Sequence, residues 1–177
     1  MGPCLIGLSF LAGPALTLDM NRLLSLTLLL GWTAAVSAQD IPSVELKDLA
    51  DMTVDTRAFV EEAEGPVLFC FWATWCMPCR AEIPILNSIY DELHDEGLVI
   101  LGITAEEEAV VQGFLKDRPI SYPVVIDDLG RITNRYGIQA YPTLVMIDRD
   151  GNMVDRATGL DVLLKWKIRN RVTGSFF

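Results

Sequence analysis

Histidine is nearly missing from this 177-residue chain: His94 stands alone. Cysteine is scarce too, at four residues, Cys4, Cys70, Cys76 and Cys79. A structural zinc site takes about four ligands, and beyond Cys76 and Cys79 the body of the chain offers only Cys70 and His94. The ligand count therefore fails, and no metal is expected. Three cysteines after Cys4 are an odd number, which is no framework of structural disulfides. Basic residues are short as well: 14 Lys and Arg against 24 Asp and Glu, a net charge of −10. So acidic a chain is a poor match for nucleic acid or an anionic membrane. Internal repeats, low-complexity tracts and linkers are all lacking.

What is present at the N-terminus is a run without charge. Met20-Asn21-Arg22 precedes Leu23 to Ala38, whose most apolar part is Leu23 to Gly31. Val36-Ser37-Ala38 has the small-residue pattern of a cleavage site, so the segment reads as a secretory signal peptide. Residues 1–19 lack the positive charge that opens such a signal. They read as an upstream extension, with Met20 the true start. At 16 residues the run is short of the ~20 that span a bilayer, so cleavage is preferred to an uncleaved anchor. The expected organisation is 1–38 as extension plus signal and 39–177 as one domain. Cleavage would remove Asp19 and Arg22 together and leave the charge at −10. Export would place the domain where disulfide chemistry operates, and no cysteine follows the run closely enough for lipid attachment.

The chemistry is concentrated in Trp75-Cys76-Met77-Pro78-Cys79. Val67 to Trp72 before it is an unbroken apolar run that reads as a strand buried on both faces. Arg80 to Glu96 after it reads as an amphipathic helix, with Ile83, Leu86, Ile89, Tyr90 and Leu93 along one side. Cys76 therefore stands where a strand ends and a helix begins. The free N–H groups and positive end of that helix favour a thiolate, the species that attacks a disulfide. Cys76 is read as the nucleophile and Cys79 as the residue that resolves the mixed disulfide. Around them the spacing predicts a small hairpin over Ile41 to Thr56. A helix over Arg57 to Ala63, capped by Thr56, and a strand over Leu98 to Ile103 follow. Further on come a helix over Glu106 to Lys116, a strand over Tyr122 to Ile126, and a turn with a short helix in Asp127 to Tyr136. A hairpin turns at Arg149-Asp150-Gly151, and Leu160 to Val172 forms a last helix. Strand, helix and strand in that order imply parallel pairing with a right-handed crossover.

The stretch Phe71-Trp72-Ala73-Thr74-Trp75-Cys76-Met77-Pro78-Cys79-Arg80-Ala81-Glu82-Ile83-Pro84 resembles the active-site segment of thioredoxin-fold proteins. It is most similar to the exported TlpA/ResA-like thiol–disulfide oxidoreductases. Gly137-Ile138-Gln139-Ala140-Tyr141-Pro142-Thr143 resembles the loop in which that fold places a cis-proline beside the dithiol. The 63 positions from Cys79 to Pro142 fit the extra strand–helix insert of the group, here roughly Gly97 to Pro123. The resemblance covers Val44 to Val172. It implies an α/β thioredoxin fold: a central mixed β-sheet flanked by helices, with the insert and an N-terminal hairpin.

It also implies roles. Pro142 should be cis, with the Tyr141 backbone pairing to an extended partner segment. Trp75, Met77, Pro78, Tyr141 and Thr143 form the expected partner-binding surface. Where thioredoxins carry a buried Asp, this chain has Cys70, whose burial would raise its pKa and keep it inert. The group often carries a functional acid in the insert, and Glu106 or Glu107 falls there. Trp72 is expected in the core, and His94 exposed without a role. The implied activity is a periplasmic reductant of partner-protein disulfides, of the cytochrome c or copper-site maturation type. No cofactor is expected beyond the redox-active Cys76–Cys79 disulfide. Recharging would come from a membrane electron donor of the DsbD/CcdA type. Rival readings are a disulfide oxidant or isomerase and a non-enzymatic Cu(I)-binding module. A peroxiredoxin would need a Pro-x-x-x-Thr-x-x-Cys segment, which does not occur.

Overall fold

A computed structural model of the chain describes residues 41–148, 151–161 and 163–174. The extension, the signal segment, the Met20 start and the Arg149-Asp150 part of the predicted turn lie outside these residues. Among the described residues no helix is long and apolar enough to cross a membrane.

The apolar runs form the middle of the sheet. Glu45–Asp48 (β1) and Thr53–Asp55 (β2) make the expected N-terminal hairpin. Val67–Phe71 (β3), Val99–Thr104 (β4) and Val124–Ile126 (β5) are mutually parallel neighbours. Thr143–Ile147 (β6) and Met153–Thr158 (β7) add an antiparallel hairpin. The seven strands run in the order β2-β1-β5-β4-β3-β6-β7, a mixed sheet. Among the described residues five α-helices flank it: Thr56–Glu61 (α1), Met77–Leu93 (α2), Glu108–Asp117 (α3), Arg131–Arg135 (α4) and Leu164–Thr173 (α5).

β3 is apolar throughout because each face of the sheet carries its own core. Val67, Phe69 and Phe71 pack on one side with Leu101, Ile103, Val145, Val60 and Ile132. Leu68, Cys70 and Trp72 point to the other, where α2 and α5 lie. On α2, Leu86, Ile89 and Leu93 are fully buried, each worth ~1.5–3 kcal/mol of apolar transfer. The helix runs through Pro84 without ending, passes into a 3-10 turn at His94–Glu96, and stops at Gly97. Gly97 has φ +98°, a left-handed conformation that glycine adopts at no steric cost.

One boundary differs instructively from expectation. The cap of α1 is Asp55, whose carboxylate accepts from the Arg57 and Ala58 N–H groups. Thr56 lies one residue inside, buried, and its hydroxyl donates to the Pro42 carbonyl while accepting from the Val44 N–H. A charged carboxylate took the cap, and the threonine was drawn into tying down the incoming chain.

Candidate active site

β3 runs out at Phe71, and the Trp72 N–H still bonds to the Ile103 carbonyl of β4. The chain then turns through Ala73, Thr74 and Trp75, and the Cys76 N–H donates to the Ala73 carbonyl at 3.1 Å. Cys76 is the N-cap of α2, and its Sγ accepts from the Cys79 N–H at 3.2 Å. Pro78, in the first turn, sits where a missing N–H costs nothing. Cys76 and Cys79 are joined in a disulfide. Both are nearly covered, at 4% and 1% exposure. A sulfur at a helix N-cap meets the free N–H groups and the positive dipole end, so the Cys76 thiolate released on reduction is stabilised there.

Around the covered disulfide the surface is apolar and open. Trp75 is 66% and Met77 67% exposed, and Pro78 is exposed beside them. The Trp75 and Tyr141 rings lie 5.9 Å apart, which brings the Tyr141-Pro142 turn to the dithiol. The Tyr141–Pro142 peptide bond is cis. Burial pushes the Tyr141 hydroxyl pKa upward, with Asp127 and Glu106 adding to the shift, so it stays protonated. Thr143 does not join this surface. It is fully buried as the first residue of β6, and its hydroxyl donates to the Ala140 carbonyl at 2.8 Å. Its side chain is therefore not part of the exposed partner-facing surface on which it was expected.

The two insert acids part company. The Glu106 carboxylate reaches the turn before the dithiol. Its oxygens accept from the Thr74 N–H at 2.5 Å and the Thr74 hydroxyl at 2.7 Å. Glu107 occupies the N-cap position of α3, and its exposed side chain makes no capping bond. It lines a hollow with Glu45, Lys47 and Arg131 and is not brought to the dithiol. The β4–α3 turn points neighbouring residues in different directions, which spacing along the chain does not reveal.

Beneath the dithiol lies an acid missing from the sequence expectations. Glu82 is on α2, one turn after Cys79, and is 1% exposed. Neither carboxyl oxygen has a hydrogen-bond partner in the protein. Burial, with a contribution from Asp161, raises its pKa from 4.5 to about 7. Cys70 and Tyr122 are close enough to feel its charge, and burial drives both their pKa values far up. Cys70 is thus a buried neutral thiol, unfit for a thioredoxin-type acid's role. The signal for Glu82 was available: it shares the inward phase of Cys79, Ile83, Leu86 and Ile89, a stripe where an acid is costly to bury.

Trp72 is in the core at 1% exposure. His94 is exposed at the end of α2, its ring stacked on Tyr90 and its Nδ1 3.0 Å from the Tyr90 carbonyl. Among the described residues no group of three or more His, Cys, Asp or Glu is placed to hold a metal ion.

A family model described as the AhpC/TSA family matches residues 38–156. The chain belongs to the AhpC/TSA family. Its similarity to curated members sharpens this. Thiol-disulfide oxidoreductase ResA of Bacillus thuringiensis subsp. konkukian is 32% identical over 122 residues, 68% of this chain and 69% of that one. ResA of Geobacillus thermodenitrificans is 34% identical over 128 residues, 72% of each chain. With the Cys76–Cys79 disulfide at the helix start, this family member is a thiol–disulfide oxidoreductase. Solved structures agree on the fold. A protein described as thiol:disulfide interchange protein DsbE from Chlorobium tepidum superposes with a TM-score of 0.67 at 23% identity, covering 76% of this chain and 94% of its own. The peroxidoxin BcpB of Mycobacterium tuberculosis reaches 0.66 at 17% identity, covering 78% and 96%, which speaks for the shared fold alone.

Proposed function

We propose that this oxidoreductase is an exported reductant of specific partner-protein disulfides, acting in the periplasm on cytochrome c or copper-site maturation partners. A membrane electron donor of the DsbD/CcdA type returns it to the dithiol form. The observation that carries the reading is the covered sulfur pair at the α2 N-cap, ringed by exposed Trp75, Met77 and Pro78 beside cis-Pro142. Such a site admits a partner whose chain lies flat against it and gives little access to solvent.

The reduced protein attacks with the Cys76 thiolate on one sulfur of the partner disulfide. A mixed disulfide forms, and the partner's other sulfur leaves as thiolate and takes a proton from water. Glu82, ionised near its pKa of about 7, accepts the Cys79 proton, and the Cys79 thiolate attacks Cys76. The Cys76–Cys79 bond closes and the partner's second thiolate departs. Two electrons pass to the partner. A base whose pKa lies near the working pH is the efficient choice for this transfer. Glu82 is within one helical turn of Cys79, the spacing at which side chains meet.

The test is a pair of single substitutions. Cys76→Ser abolishes disulfide reduction. Cys79→Ser halts at the mixed disulfide and retains partners that dithiothreitol releases. Full activity in Cys76→Ser would sink the mechanism.

A further inference from the structure

Every polar group of Thr74 is engaged, and by residues from two different elements. Its N–H and hydroxyl donate to Glu106, in the β4–α3 turn, at 2.5 and 2.7 Å. Its carbonyl accepts from Arg80 Nε, on α2, at 2.6 Å. Thr74 itself is 9% exposed, so these bonds are made with little competing water.

Neither clamp hangs free. The Thr104 hydroxyl touches Glu106 twice, from its side chain and from its backbone N–H, at 3.4 Å each. The Arg80 guanidinium lies 5.7 Å from the ring centre of Phe114 on α3, and a second cation, Arg118, lies 5.5 Å from the same ring. Phe114 in turn packs its ring against Trp72 at 5.5 Å. Glu106 from the β4–α3 turn and Arg80 from α2, the latter backed by Phe114 of α3, therefore hold the turn before the dithiol from two sides.

From this geometry we infer that Glu106 and Arg80 are positioning residues: together they lock the Thr74 peptide, and through it set Trp75 against the partner and Cys76 at the α2 N-cap. The inference rests on the dithiol chemistry above and assigns Glu106 a different task from proton transfer. Both Glu106 oxygens receive donors from Thr74, so the whole carboxylate is committed to holding that residue. Charge-assisted bonds of this kind are the stronger ones, and a preorganised site loses rate when its supports are cut.

Glutamine separates the two roles. Glu106→Gln keeps both bonds, because its carbonyl accepts from the Thr74 N–H while its NH2 donates to a reversed Thr74 hydroxyl. It has no proton to carry. Glu106→Ala keeps neither bond. The measurement is the second-order rate of reduction of a fluorogenic peptide disulfide from pH 6 to 9, alongside hydrogen exchange of the Thr74 amide. The expected result is that Gln keeps at least a third of the wild-type rate. Ala falls tenfold or more at every pH without moving the inflection, and its Thr74 amide exchanges faster. Arg80→Met slows the reaction in the same way, and the double variant loses less than the product of the two singles. A Gln variant as slow as Ala, a displaced inflection, or an Ala variant as fast as wild type overturns the inference. If the dithiol reading itself failed, the wild-type protein would be inactive while its Thr74 amide stayed protected.

Discussion

Replacing Glu82 by Gln removes the buried carboxyl one helical turn after Cys79 while nearly preserving its shape. Glu82 ionises at about 7 in the folded protein against 4.5 for a free carboxyl, chiefly through burial. A raised acid pKa means the folded state holds the proton more tightly than the unfolded one. At pH 4 the group is protonated in both states and contributes nothing. As the pH rises through 4.5 to 7 the unfolded chain ionises first, and stability falls. Above 7 the loss is complete, at roughly 3 kcal/mol from the separation of the two pKa values. Glutamine does not titrate, so this loss disappears. Urea unfolding at pH 4.5, 6 and 8 reads it directly. The stability of the Gln variant relative to wild type should climb with pH by about 2–3 kcal/mol. Comparing the difference at each pH cancels His94 and the surface acids. A difference that stays flat from pH 4.5 to 8 would falsify the assignment of Glu82 as a buried, proton-holding group. The same variant should resolve its mixed disulfide on the order of a hundredfold more slowly, the usual scale for losing a general base.

Other perturbations test other parts of the structure. Trp75→Ala should raise KM for a protein disulfide several-fold with less change in kcat, since Trp75 is exposed beside the sulfurs rather than bonded to them; steady-state kinetics with a small disulfide substrate, which does not need the docking surface, is the control. Gly65→Ala should destabilise by about 1–3 kcal/mol, because its Cβ would lie 2.2 Å from the Gly97 carbonyl oxygen; an unchanged urea midpoint would refute the close approach. Asp55→Ala should cost about 1 kcal/mol through loss of the α1 cap, read as a lowered melting temperature. The Cys76–Cys79 couple equilibrated against glutathione or dithiothreitol should give a potential near or below about −270 mV for a reductant, and a value near about −120 mV would mark an oxidant instead.

The proline across from the dithiol was expected only through the family resemblance, while the dithiol, the strand before it and the helix after it were legible in the chain. Each is announced locally: an apolar run, a Cys-x-x-Cys spacing, a 3.6-residue stripe, a Gly stop. The N-terminal hairpin and the order of elements follow from the same short-range patterns. The partners of individual side chains were not legible. Asp55 and Thr56 compete for one cap, and the winner depended on where Pro42 and Val44 came to lie. Glu106 and Glu107 are neighbours in sequence, and only the turn after β4 sent one to Thr74 and the other to solvent. Thr143 sits next to cis-Pro142 but points into the sheet. Glu82 stood in plain view on the inward stripe of α2, yet its raised pKa exists only because the packed core withholds water and hydrogen-bond donors from it. Local sequence determined which atoms can react, since thiol spacing and helix phase are properties of a few consecutive residues. Tertiary structure decided which acid serves them and which side chains hold them still, because burial and hydrogen bonding across the sheet join residues that the chain keeps far apart.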